Sequence, residues 1–278
     1  MKKKFTVLAT LAAALCMSVA LMAGCSSDEP AGGDAPADGE EAMTLVVGFD
    51  AGYPPYGYIA DDGSYVGLDL DLAAEVCERN GWALETTPID WDAKDALLND
   101  GSITCVWNGF TYEGREDLYA WTEPYMLNAQ VMVVKADSGI ASLEDLAGKN
   151  VITQVESAAL DVLEAEENAA LVASFANGAV QTIATYNDAF MQLETGLVDA
   201  VACDLSIAAF QMAANPDVYT QIAELSAEHY AVGFKLGNED LAAQVTATLK
   251  EMVADGTAQQ ICEKYADQGI TWEGWCLK

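Results

Sequence analysis

The chain has 278 residues and carries 12 Lys and Arg against 44 Asp and Glu, for a formal net charge of −32. A surface that acidic repels nucleic acid and anionic lipid headgroups, so neither is expected as a partner. With 52% hydrophobic residues the chain can build substantial cores, and with His229 as its single histidine it lacks the ligand set of a zinc site.

Lys2, Lys3 and Lys4 form a cationic start, residues 5–23 carry no charge, and the small residues Ala23 and Gly24 precede Cys25. That arrangement predicts a secretory signal peptide over residues 1–24. The apolar run is about one membrane thickness long, so an uncleaved anchor is the alternative. Leu21-Met22-Ala23-Gly24-Cys25 resembles the bacterial lipobox, with Met22 where Leu is usual. The resemblance implies cleavage before Cys25, a diacyl or triacyl (palmitate-like) modification of that cysteine and attachment to the outer face of a membrane. One acyl chain alone binds a membrane weakly, so more than one is required for stable anchoring. Residues 25–43 are expected to be the lipidated cysteine and a flexible tether. The segment is small, acidic and rich in Pro and Gly, and cannot bury enough surface to fold.

Residues 45–49 are a short apolar run ending at Asp50 and read as a strand. A loop, Tyr53-Pro54-Pro55-Tyr56, and a turn at Asp61-Asp62-Gly63 follow. Leu68, Leu72 and Val76 recur at helical spacing until Gly81 stops the helix. Strands are predicted at 82–88 and 103–107, with a short helix over 92–99 between them. Further strands are expected at 131–134, 151–153, 198–202 and 230–234. Helices are expected at 142–146, near 158–165, at 184–193 and at 239–254. Such alternation implies parallel strands with helices on both faces. Ligands in open α/β sheets bind beyond the carboxyl ends of strands, which directs attention to Asp50, Trp91, residues 108–115, Ser157 and Asp204. No segment after the leader is long and apolar enough to span a bilayer.

Of the seven cysteines, Cys16 leaves with the leader and Cys25 takes the lipid. Cys77, Cys105, Cys203, Cys262 and Cys276 remain, with no C-x-x-C pair. Export permits disulfides, and Cys262 with Cys276 is the easiest pair to imagine; buried free thiols are the alternative for all five.

Several fragments recur in one order: Gly48-Phe49-Asp50-x-x-Tyr53-Pro54-Pro55-Tyr56, Gly67-Leu68-Asp69-Leu70-Asp71, Asp90-Trp91-Asp92 and Asn108-Gly109-Phe110-Thr111-x-x-x-Arg115. Trp121-Thr122-Glu123-Pro124-Tyr125, Ser142-Leu143-x-Asp145-Leu146, Gly196-x-Val198-Asp199-Ala200-Val201 and Asp204 follow. In this order they resemble the family 3 solute-binding proteins of bacterial ABC importers for polar amino acids. The resemblance implies an α/β fold with two Rossmann-like lobes joined by a two-strand hinge, the type II periplasmic-binding-protein architecture. Lobe one is then expected over 44–126 plus 229–278 and lobe two over 127–228. It also implies an ABC permease and its ATPase as partners, with no cofactor, no metal and no catalytic residue. The chain is expected to act as a monomer.

A zwitterionic ligand needs a cation for its carboxylate and an anion for its ammonium. Arg115 offers a planar fork suited to a carboxylate, or else pairs at the surface with Glu116 or Glu123. Asn108, Thr111 and the backbone of Gly109 belong to the same strand-end loop, where Thr111 and Gly109 are expected to add hydrogen bonds. Ser157 and the amide of Ala158 open a helix and suit an anion. At Glu156 the chain departs from the family, which usually has Gly, so this carboxylate must point away from the ligand. The resemblance makes Asp204 the partner of the ligand ammonium; otherwise it caps the next helix. Asp50 supports the same charge or caps a turn, and Tyr53 and Trp91 match the family's aromatic lids. Asp69 and Asp71 read as helix-start residues. Lys94 is the one obvious second cation, which favours a neutral polar or cationic amino acid over a dicarboxylic one. The rivals are an exported dehydratase-like enzyme on the same fold and a sensory ligand-binding protein.

Overall fold

The computed structural model describes residues 43–278. The predicted leader, Cys25 and the predicted tether up to residue 42 lie outside the described residues.

Strand β1 (Thr44–Phe49) begins the first half of the molecule. Strands β2 (Gly52–Tyr53), β3 (Gly57–Ile59) and β4 (Tyr65–Val66) make a small antiparallel sheet of their own. Helix α1 (Leu68–Asn80) buries Leu68, Leu72, Ala73 and Val76 along one stripe and stops at Gly81, whose left-handed backbone (φ 67°) suits glycine. Next come β5 (Ala83–Pro88), α2 (Lys94–Asp100), β6 (Cys105–Thr111) and β7 (Ala120–Trp121). Strands β5, β1 and β6 pair in parallel. Every residue of β6 is buried, as expected of a parallel strand covered on both faces.

The second half starts with β8 (Met126–Lys135), followed by β9 (Val151–Gln154), α3 (Ala158–Glu164), α4 (Ala169–Ser174) and β10 (Gln181–Ile183). Helix α5 (Tyr186–Thr195) turns Tyr186, Ala189, Phe190 and Leu193 inward, the three-four spacing of a single apolar face. Its Thr185 side chain accepts the Asp188 N–H, a cap whose loss to alanine costs about 1 kcal/mol. Strand β11 (Ala200–Asp204) and helix α6 (Leu205–Ala214) complete this half, in which β10, β9 and β11 are parallel.

Strand β12 (Tyr219–Phe234) joins the halves, and α7 (Glu239–Asp255) and α8 (Thr257–Glu263) return to the first. It runs antiparallel to β8 from Tyr219 opposite Lys135 to Tyr230 opposite Met126, then pairs with β6 up to Phe234 opposite Cys105. The strand order is therefore β10-β9-β11-β8-β12-β6-β1-β5, with β7 against β12.

Several expectations need correction. The strands placed at 131–134 and 230–234 are the ends of much longer antiparallel strands, because the chain crosses between halves through them. The helix expected at 142–146 is one tight turn over Leu143–Leu146, held by a capping box between Ser142 and Asp145. The five cysteines of the described residues are free thiols. Cys262 is buried in the core on α8, whereas the Cys276 thiol turns to the Pro124 carbonyl at 3.5 Å. Among the described residues no helix is long and apolar enough to cross a membrane.

Candidate functional site

The carboxyl ends of β1, β6, β9 and β11 converge where the two halves meet, as strand polarity in an α/β sheet dictates. There Tyr53, Trp91, Gly109, Thr111 and Arg115 from the first half face Gln154, Ser157, Ala158 and Asp204 from the second. They enclose a cavity of about 10 Å³, roughly the size of one water, so any larger ligand needs the halves to part.

Arg115 is 8% exposed. Its Nη2 donates to the Asp161 carboxylate at 2.6 Å and to the Glu156 carbonyl at 3.3 Å, both across the cleft. The surface pairs with Glu116 or Glu123 are not made, and Glu123 pairs with Lys250 instead. Ser157 caps α3 by accepting the Leu160 N–H at 3.1 Å, while Ala158 supplies one of the first-turn N–H groups that lack an intrahelical acceptor. Trp91 Nε1 donates to the Glu156 carbonyl at 3.1 Å, so this ring also spans the cleft.

Glu156 explains its own oddity. Its φ is +54°, a left-handed backbone where glycine is the unstrained choice. Its carboxylate leaves the small cavity and meets Lys94 Nζ at 2.9 Å. Lys94, 3% exposed and 5.3 Å from the centre of the Trp91 ring, is thereby committed.

Asp204 is 5% exposed. It accepts from Gln130 at 2.7 Å, Asn128 at 2.9 Å and the Tyr230 hydroxyl at 2.9 Å. Burial raises its pKa against those hydrogen bonds. No side-chain cap on α6 is made, so the capping alternative fails. Tyr53 reaches the same cluster through Tyr230, hydroxyl to hydroxyl at 2.9 Å.

Two predicted residues stand behind the cavity. Asp50 accepts from Gly52 N–H at 2.7 Å and from Gln154 Nε2 at 2.6 Å, so it caps its turn and also bridges the cleft. Asn108 accepts the Asp50 N–H through Oδ1 and so braces that loop from the rear. Gly109 lines the cavity, but its N–H is already taken by Asp69 at 2.6 Å, leaving only its carbonyl for a ligand. A Cβ there would sit 2.9 Å from the Tyr53 ring, and its φ of +57° also demands glycine. Asp69 is thus more than a helix-start residue: fully buried, it also accepts from Tyr125 at 2.7 Å. Burial pushes its carboxyl up to about 7.

Sequence reasoning missed Gln154, Asn128, Gln130, Tyr230 and Glu228. A signal existed for two of them. Asn128 and Gln130 alternate within β8, which is otherwise apolar up to Lys135, and buried amides on one strand face need partners. Register supplies them, with Asp204 opposite Gln130 and Glu228 opposite Asn128.

A larger cavity of about 780 Å³ adjoins the small one and shares Thr111, Arg115 and Ala158 with it.

Residues 45–268 match the bacterial extracellular solute-binding proteins, family 3. The L-cystine-binding protein TcyJ of Escherichia coli strain K12 is 29% identical over 262 residues, covering 92% of this chain and 94% of its own. A histidine-bound substrate-binding protein of an ABC uptake transporter from Streptococcus pneumoniae superposes with a TM-score of 0.78 at 31% identity, over 82% of this chain and 94% of its own. An ancestral arginine-binding protein bound to arginine superposes with a TM-score of 0.71 at 35% identity, over 80% and 97%.

Proposed function

The chain belongs to the bacterial extracellular solute-binding proteins, family 3, and from that premise we propose that it captures a free amino acid outside the membrane and delivers it to an ABC import permease. The observation that carries the reading is one small cavity lined by a buried guanidinium and a buried carboxylate from opposite halves. An α-amino acid has one group for each.

In this reading Arg115 and the Ala158 amide hold the ligand carboxylate, and Asp204 holds the ammonium. Arg115 exchanges Asp161, whose carboxylate is 61% exposed and easily resolvated, for the ligand. Tyr53 and Trp91 cover the aliphatic part. The two lobes, 44–126 plus 229–278 and 127–228, open about β8 and β12 and close on the ligand, since only closure satisfies both of its charges. Lys94 is committed to Glu156, which supports a neutral polar or cationic ligand over a dicarboxylic one. The chain acts as a monomeric receptor and not as a catalyst, tethered by a lipid on Cys25 beside the permease and its ATPase.

Isothermal titration with the standard amino acids and L-cystine tests the reading. Saturable heat from at least one of them is expected, with the ligand recovered chemically unchanged by mass spectrometry. Silence from all, with the folded chain confirmed by circular dichroism, defeats it.

A further inference from the structure

Asp204 has a second carboxylate beside it. Glu228, on β12, is 4% exposed. The Asn128 amide donates to both, at 2.9 Å to Asp204 and 2.6 Å to Glu228. The Gln130 amide does the same, at 2.7 Å to each. These bridging donors are neutral, and among the described residues neither carboxylate has an ion-pair partner. Two buried negative charges held side by side without a cation are costly unless a proton or a ligand supplies positive charge.

The position of the pair says where that charge would come from. Asp204 lines the small cavity, Glu228 lines the larger one, and Thr111, which lines both, donates to Glu228 at 2.8 Å. A ligand whose α-ammonium sits on Asp204 can therefore send its side chain past Thr111 to Glu228. An ammonium or guanidinium brings to Glu228 both the positive charge and the N–H donors that the neutral amides around it cannot supply. Farther out, Glu164 and Glu167 add negative charge to the same cavity, while its Lys94 and Arg115 are already paired.

We propose that Glu228 is a specificity-determining residue that, paired with Asp204, selects amino acids whose side chain ends in an ammonium or guanidinium. The inference rests on the amino-acid reading of the site. Burial first, then the neighbouring Asp204 charge, push Glu228 up to about 7, and a cation arriving there restores its ionised form.

The test is isothermal titration of L-lysine, L-arginine, L-norleucine and L-glutamine into the wild-type chain and Glu228→Gln at about pH 8, where the carboxylate is ionised. Wild type is expected to bind lysine at least about tenfold more tightly than norleucine, which has a side chain of the same carbon length without the ammonium. Glu228→Gln is expected to lose about tenfold or more for lysine and arginine while glutamine changes less than about threefold. Equal binding of lysine and norleucine to wild type overturns the proposal even if the variant fails to fold. So does a Glu228→Gln variant that weakens lysine and glutamine alike, or neither. Binding of glutamine without any cationic ligand overturns it while leaving the amino-acid reading intact, whereas silence from every standard amino acid removes both.

Discussion

The Lys94 ammonium lies 2.9 Å from the Glu156 carboxylate, and this ion pair ties α2 of one half to the start of α3 in the other. Lys94 is 3% exposed while the Glu156 side chain is half exposed, so the lysine loses most if the pair opens. The pair is therefore expected to bias the chain toward the closed cleft before any ligand arrives.

Glu156→Gly separates this bias from backbone strain. Removing the side chain relieves the φ of +54°, worth about 1 kcal/mol, but it also strips the buried Lys94 of its partner, so chemical unfolding should not shift toward greater stability unless the cleft opens and resolvates the lysine. The same change leaves Lys94 without its partner in the closed form. Small-angle scattering of the ligand-free variant should then give a larger radius of gyration than wild type, with the difference vanishing at saturating ligand. Identical ligand-free radii would show that the pair does not govern closure.

In the proposed binding mode, Arg115→Ala and Asp204→Ala act on the two ends of the ligand. Each removes a buried charge that lines the small cavity, so each should weaken amino-acid binding by at least about tenfold. Titration calorimetry on variants with wild-type circular dichroism measures this. Near-normal affinity in either variant takes that residue out of the site.

The alternation of strands and helices and the strand-end positions of Trp91, Arg115 and Asp204 were legible because local periodicity and topology determine them, whereas Tyr53 was legible only through the family resemblance. Glu228 was not legible, because its meaning depends on register. Only when β12 lies antiparallel to β8 does Glu228 fall opposite Asn128, beside Asp204. Gln154 was hidden for a related reason: its donation to Asp50 joins residues far apart in sequence and exists only across the closed cleft. Asp69 was underestimated because a first-turn aspartate is usually explained by the helix dipole alone, whereas this one also anchors the Gly109 loop.

Cys25 tests the anchor independently of the site. With residues 1–24 retained, Cys25→Ala should move the chain from the membrane fraction to the soluble extracytoplasmic fraction, because in the proposed anchoring acyl chains on Cys25 supply the membrane affinity. Fractionation with immunodetection measures this, and amino-acid affinity of the released chain should equal that of a leaderless chain. Retention of the variant in the membrane would favour the uncleaved leader as the anchor.

The last prediction concerns pH. Burial raises Asp69 from 3.8 and Glu228 from 4.5, each to about 7. For an acid whose pKa rises on folding, the native state binds more protons than the unfolded chain between the two values. Stability therefore falls as pH climbs through that window and levels off above it. Asp255, held down to about 2 chiefly by its hydrogen bond from Arg79, acts below the window and does not mask it. Thermal melts of the ligand-free chain should give a higher midpoint at about pH 5 than at about pH 8, and Glu228→Gln should reduce that difference by removing one of the carboxyls that burial raises. A saturating cationic ligand should reduce it as well, since positive charge beside Glu228 lowers the cost of ionising it. A wild-type midpoint that rises over this range, or a Glu228→Gln slope equal to wild type, would mean that these carboxylates stay ionised in the folded chain.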